Sequence, residues 1–179
     1  MADDHQPTLP EDLLHALSRD FFIRFTTVGR RSGAPRTTET TFVWPARPGG
    51  GNLIYVSGYP GKRDWVANAR AHPFVTIHTV EHGIYYDIPA SARVIIDRGD
   101  RTGPLLDFLD RWANRPEGTQ RLFGWFIAAI RINRRCRLPW WGPFYLARHV
   151  MDRMPCVELT FVGPPVRRPG PPPPPTSGR

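Results

Sequence analysis

The sequence predicts a mainly β domain with flanking helices, an α+β chain whose strands close into a small antiparallel barrel. Three observations point there. Segments rich in Thr, Val, Ile and aromatic residues recur from Phe21 to Ile96 and again at Cys156–Val162, and such residues suit a pleated, half-buried surface. Short Gly/Pro-rich punctuation separates most of them, which favours antiparallel pairing. No Gly-rich turn joins a parallel strand to a helix, so a Rossmann fold is not expected.

The elements follow in order. Residues 1–8 are polar and loose. "LPEDLLHALSRDF" predicts a short amphipathic helix, with Leu13, Leu14 and Leu17 on one face and Pro10, Glu11 and Asp12 in the first turn. "FFIRFTTV" and "TTETTFVW" read as strands either side of the turn "GRRSGAPR", and "PARPGGGN" as a hairpin loop before the strand "LIYVSG". "YPGKRDWVANARAHP" predicts a loop and a short helix with Asp64 as N-cap and Pro73 ending it. "FVTIHTV" and "IYYDIPASARVII" are two further strands across a turn at Glu81–Gly83. Three helical stretches then occupy 99–153, as "GPLLDFLDRWANR", "TQRLFGWFIAAIRINRRC" and "WWGPFYLARHVMDRM", and "CVELTFV" is the closing strand. The expected organisation is an N-terminal helix and loose start over 1–20, a barrel domain over 21–163 with a helical insert at 99–153, and a Pro-rich, disordered tail over 164–179.

The 179 residues are enough for one domain with its own core. Their charge is unusual: 24 basic residues against 16 acidic ones give +8, and every basic residue but Lys62 is arginine. An anionic partner is expected: a phosphorylated cofactor, an anionic membrane surface or nucleic acid. No nucleic-acid motif supports the last of these, and nucleic acid is not an expected partner. The longest apolar run is broken by arginines well short of the roughly 20 residues of a bilayer span. Cys136 and Cys156 form no motif and no secretory leader is evident, so reduced thiols in a cytoplasmic protein are expected.

The chemistry concentrates in "TTVGRRSGAPRTTET", Thr26–Thr40, which holds three arginines, two glycines and six hydroxyl side chains. Gly29 and Gly33 let the backbone turn sharply. Arg30, Arg31, Ser32 and Arg36 supply charge-assisted donors to a multidentate anion. From chemistry alone, a phosphate or carboxylate nest and a cationic hairpin between two strands are level.

"TTVGRRSGAPRTTETTFV" followed by "YVSGYPGKRDWVANARAHPFVTIHT" resembles the deazaflavin-dependent nitroreductase family, F420-dependent oxidoreductases on the split β-barrel shared with flavin-type pyridoxamine phosphate oxidases. The resemblance covers roughly 21–96 and rests on two linked motifs. One is T-x-G-R-x-S-G-x-P-R-T; the other is Asp-Trp with Asn68 three residues after the Trp, then Ala71–His72–Pro73. It implies a split, FMN-binding-like barrel and the cofactor F420, a long polyanion with a flat ring at one end. It places Arg30, Arg31, Ser32 and Arg36 at the phosphate end. Thr37, Thr38, Glu39, Thr40 and Thr41 lie along the ring, Val56, Ser57 and Gly58 at its edge, and Trp65, Val66 and Asn68 close the pocket. FMN and haem fit the long cationic turn less well.

Three departures accompany the resemblance. Gly58–Tyr59 stands where many relatives have a lysine, and Lys62 or Arg63 is the expected substitute. Glu39 replaces a proline, and is expected to pair with Arg30 or Arg36 or to meet the ring or substrate. Residues 110–150 are longer and more aromatic than the family pattern.

Other residues carry less. Trp65 suits either a ring pocket or a core anchor, with the pocket ahead once the resemblance is weighed. His78 and His82 lack an evident third ligand, so no metal site is expected. Tyr86 and Tyr145 are the candidate proton donors, against simple packing. Residues 121–148 combine six arginines with exposed-type aromatics and no acid. They suit a lid or dimer contact first and a peripheral membrane contact second. The expected protein is a homodimeric F420-dependent reductase that passes hydride to a hydrophobic quinone, enone or nitro substrate, with a setting in natural-product metabolism. The alternative is the same barrel repurposed as a non-redox binder of hydrophobic ligands, a carrier or a cyclase/isomerase.

Overall fold

Six antiparallel strands close on themselves in this computed structural model, which describes residues 8–45, 51–58, 63–114 and 121–176. They are β1 (Phe22–Val28), β2 (Pro35–Val43), β3 (Leu53–Ser57), β4 (Phe74–Thr79), β5 (Tyr86–Val94) and β6 (Cys156–Phe161). The hydrogen-bonded order is β4-β1-β2-β3-β6-β5, and β5 pairs back onto β4 to close the barrel. A two-residue strand, β7 (Val166–Arg167), adds to β5. Among the described residues five helices flank the barrel: α1 (Glu11–Arg19), α2 (Asp64–Ala71), α3 (Arg98–Ala113), α4 (Arg121–Arg135) and α5 (Gly142–Arg153).

The period of two in each strand decides what is inside. Ile23, Phe25, Ile54, Val56, Ile77, Ile88, Val157 and Leu159 face inward and are buried, and α1 adds Leu13 and Leu17. A second cluster lies outside the barrel, where Leu105, Leu106, Phe108, Ile127, Ile130 and Met151 of the three later helices pack over Val43, Ile95 and Cys156. Removing one such side chain from water is worth about 1.5–3 kcal/mol.

Local chemistry sets most boundaries. Pro10 stands at the N-cap of α1, and the acids Glu11 and Asp12 in its first turn and Arg19 in its last suit the helix dipole. α3 starts at Arg98, earlier than the expected Gly103, because Asp97 caps it: its carboxylate accepts from the Asp100 N–H at 3.1 Å. Asp64 is not the N-cap of α2. Arg63 holds that position, and Asp64 lies in the first turn, where its carboxylate is turned to Arg30. The loop expected between β2 and β3 lies partly outside the described residues.

The tail departs from expectation over 164–176, which is not disordered. Extended as foreseen, it nevertheless packs on the barrel: β7 pairs with Tyr86 and Asp87, and Thr176 donates its N–H to the Thr37 carbonyl at 2.8 Å. A proline run keeps every carbonyl as an acceptor, and Arg24 donates to those of Pro172 and Pro173.

The barrel is split on one side. β2 pairs with β1 from Pro35 to Thr41 but meets β3 only at Phe42↔Val56 and Val43↔Tyr55. β3 pairs with β6 over all five of its residues. From Pro35 to Thr41 the outer edge of β2 has no β3 partner among the described residues, which leaves a gap in the strand pairing there.

Candidate functional site

The cationic turn sits at the mouth of this gap. Gly33 adopts φ +65°, and the Gly29 N–H donates to the Ala34 carbonyl at 2.9 Å. A Cβ on Gly29 would lie 2.7 Å from Ser32 Oγ and 3.1 Å from the Ala34 oxygen, so the turn needs glycine there. α2 holds the turn in place. Asn68 Oδ1 accepts from the Arg30 backbone N–H at 3.1 Å and from its guanidinium at 3.3 Å, and Asp64 Oδ1 accepts from that guanidinium at 3.0 Å. Arg31 and Arg36 are exposed, and neither forms an ion pair with another described residue. Ser32 is exposed, and its hydroxyl oxygen accepts from the Ala34 N–H at 3.3 Å.

Across the gap, Thr40 Oγ1 donates to the Ser57 carbonyl at 3.0 Å, and Ser57 Oγ donates to the Pro155 carbonyl at 2.6 Å. Gly58 has open space where a side chain would be. Val56 is buried in the core and Val66 packs partly against it. Lys62 lies outside the described residues.

Several expected contacts fall elsewhere. Glu39 pairs with neither Arg30 nor Arg36. It accepts from Arg24 Nε at 2.8 Å, because the two stand opposite each other in the β1–β2 register. Trp65 is 8% exposed and meets Phe25 edge to face, with centroids 5.2 Å apart. It anchors α2 from the core side. Tyr86 is buried and its hydroxyl donates to Asp12 at 2.9 Å. Burial, with the Asp12 carboxylate second, raises its pKa, and its hydroxyl is turned to Asp12 of α1. Tyr145 is 62% exposed on α5, which packs on α3 and, through Phe144, on Phe126 of α4.

Two polar groups went unread in the sequence. Asp87, His78, Thr26 and Thr37 form a hydrogen-bonded row across β5, β4, β1 and β2. His78 Nδ1 lies 2.6 Å from Asp87 Oδ1, His78 Nε2 lies 2.9 Å from Thr26 Oγ1, and Thr26 Oγ1 lies 3.0 Å from Thr37 Oγ1. In the neutral ring, Nδ1 donates to the carboxylate and Nε2 accepts from Thr26. The second group is Asp20, Glu81 and His82, whose ligand-type atoms all lie within 4.8 Å of one another. His82 Nδ1 lies 3.0 Å from Asp20 Oδ1, and Asp20 Oδ2 is buried without a hydrogen-bond partner among the described residues. Arg19 Nε is 3.5 Å from Asp20 Oδ1, and Arg111 donates to the Asp20 carbonyl. Burial raises the Asp20 pKa and lowers that of Arg111. Strand register brings the first group together and the meeting of the α1–β1 and β4–β5 turns the second, so no local motif announces either.

The fold is a split antiparallel β-barrel with a cationic turn between its first two strands. Residues 14–97, just under half of the chain, match the family model of the F420H(2)-dependent quinone reductases. The family supports an oxidoreductase, and its name specifies F420 as the cofactor. No curated protein matches the chain in sequence. Among solved structures, a pyridoxamine 5'-phosphate oxidase-type protein of Listeria innocua is 12% identical with a TM-score of 0.50, covering 87% of this chain and 94% of its own. The heme storage protein of Vibrio cholerae is 12% identical with a TM-score of 0.54, over 89% and 94%. An FAD and heme binding protein of Mycobacterium smegmatis is 15% identical with a TM-score of 0.54, over 87% and 67%. At these identities the likeness shows the fold alone.

The donor set fits F420. Two arginines without carboxylate partners among the described residues suit a phosphate and an oligoglutamate, and an open strand edge beside Gly58 suits a flat ring.

Proposed function

We propose that the gap between β2 and the end of β3 binds F420 and that the protein reduces a hydrophobic quinone, enone or nitro compound there. Arg31 and Arg36 hold the anionic end, with Ser32 and Arg30 completing the turn. Thr37–Thr41 line the ring, and Val56–Gly58 its edge. Asn68, Val66 and Trp65 fix α2 behind the turn. F420 supplies a hydride when bound. The chain's own residues bind, orient and exclude water, which is what such chemistry asks of a protein. The carrying observation is that Arg31 and Arg36 stand exposed without carboxylate partners among the described residues, at the mouth of the open seam. Titrating the protein into F420 at low and high salt, followed by F420 fluorescence, tests this. Binding that weakens with salt supports it; no binding by the folded protein rejects it.

The same proposal extends to partners. A homodimer in the cytoplasm is the assembly we infer. The helical insert adds a second surface. α4 buries Ile127 and Ile130 yet leaves Leu122, Trp125 and Ile132 between 64% and 87% exposed, beside Arg131, Arg134 and Arg135. An apolar stripe edged by arginines complements an anionic bilayer surface, where a hydrophobic substrate would partition. No described helix is long and apolar enough to cross a membrane. Flotation with anionic and neutral vesicles tests the contact: binding to the anionic set alone supports it, and binding to neither removes it.

A further inference from the structure

The C-terminal segment ends on the open edge of β2. Beyond β7, the Arg168 N–H donates to the Tyr85 carbonyl at 2.8 Å and its guanidinium reaches Asp87 Oδ2 at 2.7 Å. The proline run then crosses the barrel's outer face. Arg24 donates to the carbonyls of Pro172 at 3.1 Å and Pro173 at 3.3 Å, and Pro172 is buried. At its end Thr176 takes both backbone groups of Thr37: the Thr176 N–H donates to the Thr37 carbonyl at 2.8 Å, and the Thr37 N–H donates to Thr176 Oγ1 at 3.0 Å. Those groups point away from β1, into the gap that β3 leaves beside β2.

The two ends of the segment are held unequally. The Arg168 end has strand pairing and a charged hydrogen bond to Asp87. The Thr176 end has two neutral hydrogen bonds and is exposed. Pro171–Pro175 bring no N–H and resist bending, so once Arg24 releases the Pro172 and Pro173 carbonyls this run lifts as a stiff unit that turns at Gly170. We propose that residues 168–176 are an autoinhibitory strap. Hinged at Arg168–Asp87, it covers the edge at Thr37 with Thr176, and an anionic cofactor lying along that edge displaces it. The proposal rests on the reading that Thr37–Thr41 line the F420 ring.

The test uses the full chain and two variants. Thr176→Pro removes the donor N–H and the hydroxyl together, and Thr176→Ser keeps both. Amide exchange at Thr37, measured by NMR without cofactor, reports whether the strap is seated. Protection in the wild type and Thr176→Ser, lost in Thr176→Pro, is expected. F420 titration then reads the coupling. Thr176→Pro should bind roughly tenfold more tightly than the other two, the scale of two neutral hydrogen bonds no longer to be broken. Equal Thr37 exchange in all three proteins overturns the strap. Equal F420 affinity overturns its inhibitory role while the F420 reading stands. Binding by none, with Thr37 still protected, overturns the F420 reading and the inhibition together, which separates that failure from the others.

Discussion

Asn68 Oδ1 accepts two hydrogen bonds from one residue, the Arg30 backbone N–H at 3.1 Å and the Arg30 guanidinium at 3.3 Å. Asn68 is 5% exposed, so this carboxamide is the buried clip between the cationic turn and α2. Replacing it with alanine leaves the Arg30 N–H without its acceptor. Asn68→Ala should destabilise the protein by about 1–3 kcal/mol and loosen the turn. Urea unfolding and F420 titration check both effects. Asp64→Ala, which breaks only an exposed pair at Arg30, should cost no more than about 1 kcal/mol.

Arg36 is the cleanest probe of the anion clamp, because it is exposed and forms no ion pair with another described residue. Arg36→Ala should leave the unfolding midpoint in place. It should weaken F420 binding by about 1.5–3 kcal/mol, the scale of a lost charged hydrogen bond. An unchanged dissociation constant would remove Arg36 from the site.

Trp65 separates a core role from a pocket role. Its ring packs edge to face on Phe25 within the barrel core. Trp65→Ala should cost about 3–5 kcal/mol of stability, and Trp65→Phe less. F420 affinity should survive Trp65→Phe unchanged, since the ring faces Phe25. A large loss of affinity with stability retained would put Trp65 against the cofactor instead.

The two cysteines should behave oppositely. Cys136 is exposed and Cys156 is buried, and burial pushes the Cys156 thiol up from 9.0 to about 12. A thiol reagent at mildly alkaline pH should label Cys136 alone in the native protein and both cysteines after unfolding. The pH dependence follows in sign. The native state keeps the Cys156 proton more tightly than the unfolded chain, so this contribution to stability is whole below pH 9 and is lost as pH rises toward 12. Cys156→Ala should flatten the stability–pH curve across that window. An identical curve would show that other groups set it.

Much of the fold was legible because it is locally encoded. The β-rich texture of "FFIRFTTV" and "FVTIHTV", the glycines of the cationic turn and the one-face spacing of Leu13, Leu14 and Leu17 each need only near neighbours to be read. The helix start at Arg98 was missed because Asp97 caps across a stretch that also holds Gly99 and Gly103. The seat of the tail was illegible for a stronger reason: its partners, Arg24 and Thr37, lie 148 and 139 residues away from Pro172 and Thr176.

By itself the sequence determined the antiparallel elements, the cationic turn with its two glycines, and the resemblance that points to F420. These follow from backbone freedom, side-chain period and charge, which are properties of neighbouring residues. Only the tertiary structure decided that Glu39 belongs to Arg24, that Trp65 faces Phe25, that Asp87, His78, Thr26 and Thr37 form one row, and that Thr176 closes on Thr37. Each is a matter of strand register or long-range docking, and register sets which of two faces a side chain occupies.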